Sequence, residues 1–448
     1  MKTLLISLLS LLTTLATAQS IQLASLAKSA PAPIENLQPT AVTVLGEQAV
    51  TLDLENFDHF RQQIMPLIEK MATKQIVGLG EGTHGTSEFY KIRYWITKIL
   101  VEEKGFNNVV FENDYADSYK LNQAIKKASA TAVDTLMKQY LIAIWRNQEV
   151  KELLSWMQTH NRKSKKPVTF GGMDHMFMTN DAKIVRELTV PYRNAEMDVL
   201  TNSLVKLAVT RDSIWYSANR KDFSLADSIS NRNIVQGYET AEEIHSLLPH
   251  LRLPADQHEL ATMMTKNIML QLLGPFKYLT QKLSTGNRDS CMAVTATTFL
   301  RQPTDKLIIW AHDFHVAHTA IYGGAVGGTG GYIEQMRPGQ YFVLGTGTAT
   351  GTYAATDDHF ITHASQMKSV PLDVPADTLW EGQLAKAESP AFYMDLAKWP
   401  DRTTNFTYRA VGYNPKSDKS TRDKSHPVSK LFDAYLFIRD TKAARFIK

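Results

Sequence analysis

The sequence predicts an α/β fold: a central, mainly parallel sheet flanked by helices, with a large helical insertion or cap. Three observations carry this. Short apolar runs of strand length alternate with longer stretches whose apolar residues recur at three- and four-residue spacing. Several of the short runs end directly on ionisable residues, as strands do at the ligand edge of an open α/β sheet. Residues 176–303 hold helical patterns broken by Pro191, Pro249 and Pro254, with no convincing strand.

Taken in order, the chain opens with an apolar run behind Lys2 that ends with Ala16 and Ala18 at the small positions. This reads as a signal peptide, 1–18, and implies export, periplasmic or secreted. Residues 19–50, rich in Ala, Pro and Ser, read as an arm, and 51–448 as the α/β domain. A helix is expected within 51–71. Ile76–Gly85, I-V-G-L-G-E-G-T-H-G, reads as strand and tight turn, followed by a helix with Phe89, Ile92, Trp95, Ile96, Ile99 and Leu100 on one face. The second strand is Asn108–Glu112. Helices are expected over 116–130 and 136–160. A third strand, Val168–Phe170, is expected to stop at Gly171 and Gly172. The sheet resumes at Leu307–Ala311. A glycine-rich loop spans Gly323–Gly331. Tyr341–Leu344, Ala391–Leu396, Ala410–Gly412 and Tyr435–Ile438 are the later strands.

The roughly 430 residues left after cleavage are enough for one large domain with an insertion, or for two domains. One cysteine, Cys291, cannot form an internal disulfide, and its apolar context suits a buried, inert thiol. A net charge of +4 and a short basic cluster at Arg162–Lys166 without interleaved aromatics argue against nucleic acid. After the leader, no stretch is long and apolar enough to span a bilayer. Oligomeric state is left open.

Four strand ends carry chemistry-bearing groups: Glu81 with His84, Glu112 with Asp114, Asp174 with His175, and His312 with Asp313 and His315. A parallel sheet gathers such ends on one edge. A histidine near neutrality can take a proton from water, a carboxylate such as Glu81 can orient it, and a second histidine or an arginine can hold an oxyanion. There is no G-x-S-x-G elbow for a serine nucleophile. Gly80, Gly82 and Gly85 spell G-x-G-x-x-G, but Glu81 would oppose a pyrophosphate. The ribose-binding acid expected ~20 residues on has only Glu102, Glu103 or Glu112 to supply it. A divalent metal is a rival, with Glu81, His84, Glu112, His312 and His315 as acceptable ligands. His312, His315 and His318 repeat at three-residue spacing, which could face one way on a helix. The water-activating reading requires no cofactor.

With these motifs in hand, the chain after the arm resembles the erythromycin esterase family. The resemblance rests on G-L-G-E-G-T-H-G-T-S-E-F (Gly78–Phe89) with Arg93 and V-E-E-K-G-F (Val101–Phe106), and on V-F-E (Val110–Glu112). It extends to Trp145 with Glu149, then Trp156, Asn161 and G-G-M-D (Gly171–Asp174). R-D-x-x-M (Arg288–Met292), I-W-A-H-D-F-H (Ile309–His315) and F-D-A-Y-L-F-I (Phe432–Ile438) complete it. It implies hydrolysis of an ester or lactone, a macrolide ring among the candidates. The implied general base is His84, with Glu81, Arg93, His312 and His315 as its catalytic companions and Glu112, Asp114, Asp174, His175, Arg288 and Asp313 in substrate-binding or supporting places. Asp313 stands where the commoner pattern has Asn; a carboxylate there is expected to lie beside the two imidazoles and raise their pKa values or favour a cation. Two other readings stay open: a metal-dependent hydrolase on another substrate, and a non-catalytic cell-envelope binding protein.

Overall fold

The computed structural model describes residues 49–126, 131–192, 194–217, 226–281, 287–319, 328–357, 367–399, 406–416 and 422–447. The expected signal peptide and almost all of the expected arm lie outside them, as does most of the glycine-rich loop.

Eleven strands are described. They are β1 (Val50–Thr51), β2 (Ile76–Leu79), β3 (Asn108–Asp114), β4 (Thr169–Asp174), β5 (Leu307–Trp310), β6 (Tyr341–Ala355), β7 (Lys368–Pro371), β8 (Ala391–Asp395), β9 (Phe406–Arg409), β10 (Arg422–His426) and β11 (Ala434–Thr441). Nine form one sheet in the order β1-β8-β11-β6-β2-β5-β3-β4, with β7 alongside β6. The six from β11 to β4 are mutually parallel; β8 and β7 run against them beside β11 and β6, and β1 pairs antiparallel with β8. The late strand β5 inserts between β2 and β3. It thereby seats His312 between Glu81 and Glu112 at the carboxyl edge.

The helices follow from local chemistry. In α1 (Phe57–Ala72) the Asn56 side chain accepts from the amides of Asp58 and His59, a cap worth about 1 kcal/mol. In α2 (Ser87–Lys104) Phe89, Ile92, Ile96, Ile99 and Leu100 are buried at helical spacing. Each contributes roughly 1.5–3 kcal/mol on burial. Gly105, at φ 74°, ends α2 in the left-handed conformation that glycine tolerates. Helix α3 (Tyr115–Lys126) follows β3 without a loop. The stretch 136–160 is not one helix. It divides into α4 (Val133–Tyr140), a 3₁₀ turn at Ala143–Trp145 and α5 (Gln148–Lys163). Asn147 restarts the chain by capping Val150 N at 2.8 Å, and the turn lets Trp145 Nε1 donate to Glu112 O at 2.9 Å.

Between β4 and β5 the described residues are helical: α6 (Thr179–Thr189), α7 (Ala195–Ser217), α8 (Ala226–Leu247), α9 (Ala255–Leu279) and α10 (Arg288–Thr297), with short 3₁₀ turns. They build an apolar cluster of their own, including Met178, Ile184, Leu204, Ile244, Met264 and Ile268, joined to the main fold through Tyr115 and Ala116. No helix among the described residues is long and apolar enough to cross a membrane.

Two strands outrun their expected ends because their glycines make room rather than stop pairing. β4 continues through Gly171 and Gly172 to Asp174. A Cβ on Gly171 would fall 2.3 Å from the Phe299 ring, and one on Gly172 2.4 Å from the Asn113 and Asp114 carbonyls. β6 continues past Leu344 because Phe432 and Tyr435 lie directly on Gly345 and Gly347. The expected strand Ala410–Gly412 is instead β9, one turn of chain earlier, with Val411 forming only an isolated parallel bridge to Thr83.

Candidate active site

The turn after β2 sets the site. Gly80 and Gly82 are needed for packing: a Cβ on Gly80 would fall 1.8 Å from Asp313 Oδ1, and one on Gly82 2.3 Å from Thr346 O. Gly85, at φ 77°, brings its backbone against Ala354 O. The G-x-G-x-x-G spacing thus reflects contact with β6 and Asp313.

Within that turn Glu81 is fully buried. Its Oε1 lies 2.5 Å from His84 Nδ1 and its Oε2 accepts from Arg93 Nη2 at 2.5 Å. Arg93 projects from α2 and is itself buried. Its guanidinium carbon lies 4.6 Å from the Trp310 ring, 5.0 Å from Tyr90 and 5.4 Å from Trp145. Aromatic faces replace water around the cation. With Nδ1 donating to the carboxylate, His84 Nε2 carries the lone pair, and it has no hydrogen-bond partner among the described residues. The His84 and His312 rings are 4.7 Å apart.

His312 is held by the backbone on every side. Its amide donates to Glu112 Oε2 at 3.1 Å, Nδ1 accepts from Phe314 N at 3.2 Å, and Nε2 lies 3.2 Å from Val411 O. Burial, and then the neighbouring His84, push its pKa well below the ordinary value. It is therefore a neutral ring with its proton on Nε2.

His315, on the single-turn helix α11 (Asp313–Val316), is the opposite case. Nδ1 lies 2.6 Å from Asp289 Oδ1, and Nε2 lies 3.3 Å from Glu112 Oε1. Burial alone would lower its pKa, but the Glu112 and Asp289 carboxylates outweigh that and push it up to about 10. It is an imidazolium at neutral pH. Arg288 stands next to it, donating from Nε to Asp174 Oδ1 at 2.9 Å and from Nη2 to Glu112 Oε1 at 2.9 Å. Arg288 Nη2 also donates to Asp174 Oδ2. Its side chain remains 45% exposed. Burial would raise the pKa values of Glu112 and Asp174. His315 and Arg288 instead hold Glu112 well below the usual range, and Arg288 lowers Asp174.

The structure thus brings Glu81, His84, Arg93, Glu112, Asp174, Arg288, His312 and His315 into one constellation at the carboxyl edge. Three expected members face elsewhere. Asp114 accepts from the amides of Asp117, Met176 and Phe177 and fastens α3 to the chain after β4. His175 points toward the helical region, where Nδ1 meets Asn267 Oδ1 at 2.9 Å and Nε2 meets Thr295 Oγ1 at 3.3 Å; burial lowers its pKa to about 4. Asp313 adds no charge beside the imidazoles. Its Oδ2 accepts from Thr346 N at 3.1 Å and from the Tyr408 hydroxyl, and burial pushes its pKa up to about 8, leaving it neutral. His318 leaves the group to meet Asp433 Oδ2 at 2.8 Å.

Of the candidate metal ligands, His312 has both nitrogens on backbone groups, and His315 has Nδ1 on Asp289 and Nε2 3.3 Å from Glu112 Oε1 and 3.2 Å from Arg288 Nη1. No group of three or more His, Cys, Asp or Glu among the described residues is arranged to hold a metal ion. Cys291 is free and buried.

Asp289, Tyr408 and Val411 are site residues the sequence reading did not single out. Asp289 is adjacent to Arg288 and was available from the R-D pair. Tyr408 and Val411 lie about a hundred residues beyond His312 and carry no local signal.

Comparison with known proteins agrees with this architecture. The erythromycin esterase family model matches residues 101–441. Erythromycin esterase type II of Escherichia coli is 23% identical over 286 residues, 60% of this chain and 65% of that protein, just under two thirds of its length. The putative hydrolase YbfO of Bacillus subtilis (strain 168) is 24% identical over 349 residues, 72% and 74% of the two chains. Among solved structures, a succinoglycan biosynthesis protein superposes with a TM-score of 0.74 at 18% identity, covering 91% of this chain and 98% of that one. An erythromycin esterase mutant in its open conformation gives 0.68 at 16%, covering 89% and 99%. The chain belongs to the erythromycin esterase family.

Proposed function

We propose that the protein hydrolyses an ester or lactone bond by activating water at His84. The observation that carries this is the relay Arg93–Glu81–His84, which holds one ring nitrogen and leaves the other without a hydrogen-bond partner among the described residues. His84 Nε2 takes a proton from water as the oxygen attacks the carbonyl carbon. The resulting imidazolium is stabilised through Nδ1–H by Glu81, and Arg93 keeps that carboxylate in place. The tetrahedral oxyanion forms beside Arg288 and the charged His315, the two cations of the constellation that retain exposure. His84 then returns its proton to the departing alkoxide as the carbonyl re-forms. Neutral His312, pinned on both nitrogens, limits the movement of the His84 ring. Arg93 is too deeply buried, and His312 too fully bonded, to meet the oxyanion.

The family and the relative named an erythromycin esterase support a macrolide lactone as one candidate substrate. We also propose export, on the signal peptide read over residues 1–18, which N-terminal sequencing of the mature protein tests. The decisive experiment is a panel of esters, lactones and macrolides assayed with the wild type and His84→Ala. On a true substrate, kcat should fall by about 10²–10⁴. Undiminished turnover would overturn the assignment.

A further inference from the structure

A second cavity lies at the other end of the strands. It measures about 580 Å³, within the range of small-ligand pockets. Asn107 and Asn108 at the start of β3 and Thr169 at the start of β4 line it, along with α3, α9 and Phe299. The hydrolytic centre sits at the carboxyl ends of the same strands, so the two are separate.

Its chemistry is unlike that of the first site. Six amide side chains line it; besides Asn107 and Asn108 these are Asn122, Gln123, Gln257 and Gln302. Its ionic groups are largely matched among themselves. Arg301 pairs with Glu259 at 3.2 Å, and Asp305 accepts from Asn107 Nδ2 and from the Arg301 and Gln302 amides. Lys126, also in the lining, donates to the neutral Thr169 Oγ1 at 3.2 Å, so an anion is the rival ligand. Two polar groups more than nine-tenths buried are left incomplete. Tyr115, 7% exposed, has no partner for its hydroxyl among the described residues. Asn122, 6% exposed, accepts from Phe170 N at 3.0 Å but has no partner for Nδ2 among the described residues. Both line the cavity, one on each side of the Tyr119 turn of α3. Neither atom is sealed off from the cavity, so each offers a hydrogen bond to whatever occupies it. The Tyr115 and Phe299 rings meet edge to face at 6.2 Å, and Phe299 is seated on the bare backbone of Gly171. This gives a fixed aromatic wall opposite the amides.

The geometry points to a carbohydrate-binding site: a sugar residue bound between the Tyr115–Phe299 wall and the amide face of Asn122. A hydroxyl both donates and accepts, as does a carboxamide, so an amide-rich wall matches a polyhydroxylated ring. The apolar C–H face of the ring suits the aromatic side.

Saturation-transfer NMR on the full chain with glucose, galactose and N-acetylglucosamine tests this, with benzoate as an anionic control. At least one sugar should receive saturation. Its affinity should fall about tenfold in Tyr115→Phe and Asn122→Leu and remain unchanged in His84→Ala. Tyr115→Phe removes a hydroxyl with no partner among the described residues, so it decides the matter even if Asn122→Leu unfolds through loss of the Phe170 contact. Absence of transfer to all three sugars, binding of benzoate alone, or unaltered sugar affinity in Tyr115→Phe would overturn the proposal.

Discussion

His312 Nε2 donates to the backbone oxygen of Val411, the same oxygen that takes the amide proton of His84. One carbonyl from the far C-terminal part of the chain thus fixes both histidines. Because burial and His84 hold the His312 pKa well below its ordinary value, the native state binds fewer protons there than the unfolded chain once pH drops below about 6.5. Stability is therefore lost on acidification, by up to ~1.4 kcal/mol per pH unit for one such group. His312→Gln should lose less stability than the wild type between pH 7.5 and 5 in urea denaturation. Equal losses in the two proteins would contradict the neutral, backbone-bound ring.

Arg93 and Glu81 form a buried pair with no access to water. Removing one partner leaves an uncompensated charge, at a cost of about 3–5 kcal/mol. Arg93→Met should show that loss in chemical denaturation. The double variant Arg93→Met with Glu81→Gln should lose clearly less than the sum of the two single changes. Simple additivity would mean that the pair is not coupled.

His315 is expected to stay charged well above neutrality, since Glu112 and Asp289 overcome its burial and raise its pKa to about 10. Its contribution to stability is complete below about pH 6.5 and declines as pH rises toward 10. Nitrogen-15 spectra at pH 8 should show both ring nitrogens protonated. Hydrolysis on any true substrate should decline as pH passes about 10. A neutral His315 ring at pH 8 would remove the cation from beside the oxyanion.

Asp313 behaves in the reverse sense for a carboxyl. Burial raises its pKa to about 8, so the native state keeps a proton that the unfolded chain loses near pH 4. Stability must fall as pH rises between these values, then level off. Asparagine resembles the neutral acid, so Asp313→Asn should gain on the wild type as pH moves from 5 to 8. A difference that does not change with pH would show that Asp313 is ionised in the fold.

Much of the site was legible because its groups sit next to strong local patterns. Glu81 and His84 follow an apolar run, Arg93 lies on the buried face of an obvious helix, and Glu112, Asp174 and His312 lie at or beside the carboxyl ends of strands. Proximity of strand ends follows from parallel pairing alone. Glycines misled where they followed apolar runs. Gly171, Gly172, Gly345 and Gly347 looked like strand terminators, yet each makes space for a distant side chain or carbonyl that only the folded chain brings near.

Side-chain direction was not legible. His175 and Asp313 occupy positions equivalent in sequence to true site residues, yet one faces the helical region and the other the Tyr408 hydroxyl. The amino-acid order by itself determined the α/β class, the helical stretch before β5 and the inventory of groups at the carboxyl edge, because these depend on local periodicity and strand polarity. The tertiary structure alone decided which imidazole is neutral, which is charged and which keeps a free nitrogen. Those properties depend on burial and on partners such as Val411, Asp289 and Arg288, which reach the site from distant parts of the chain.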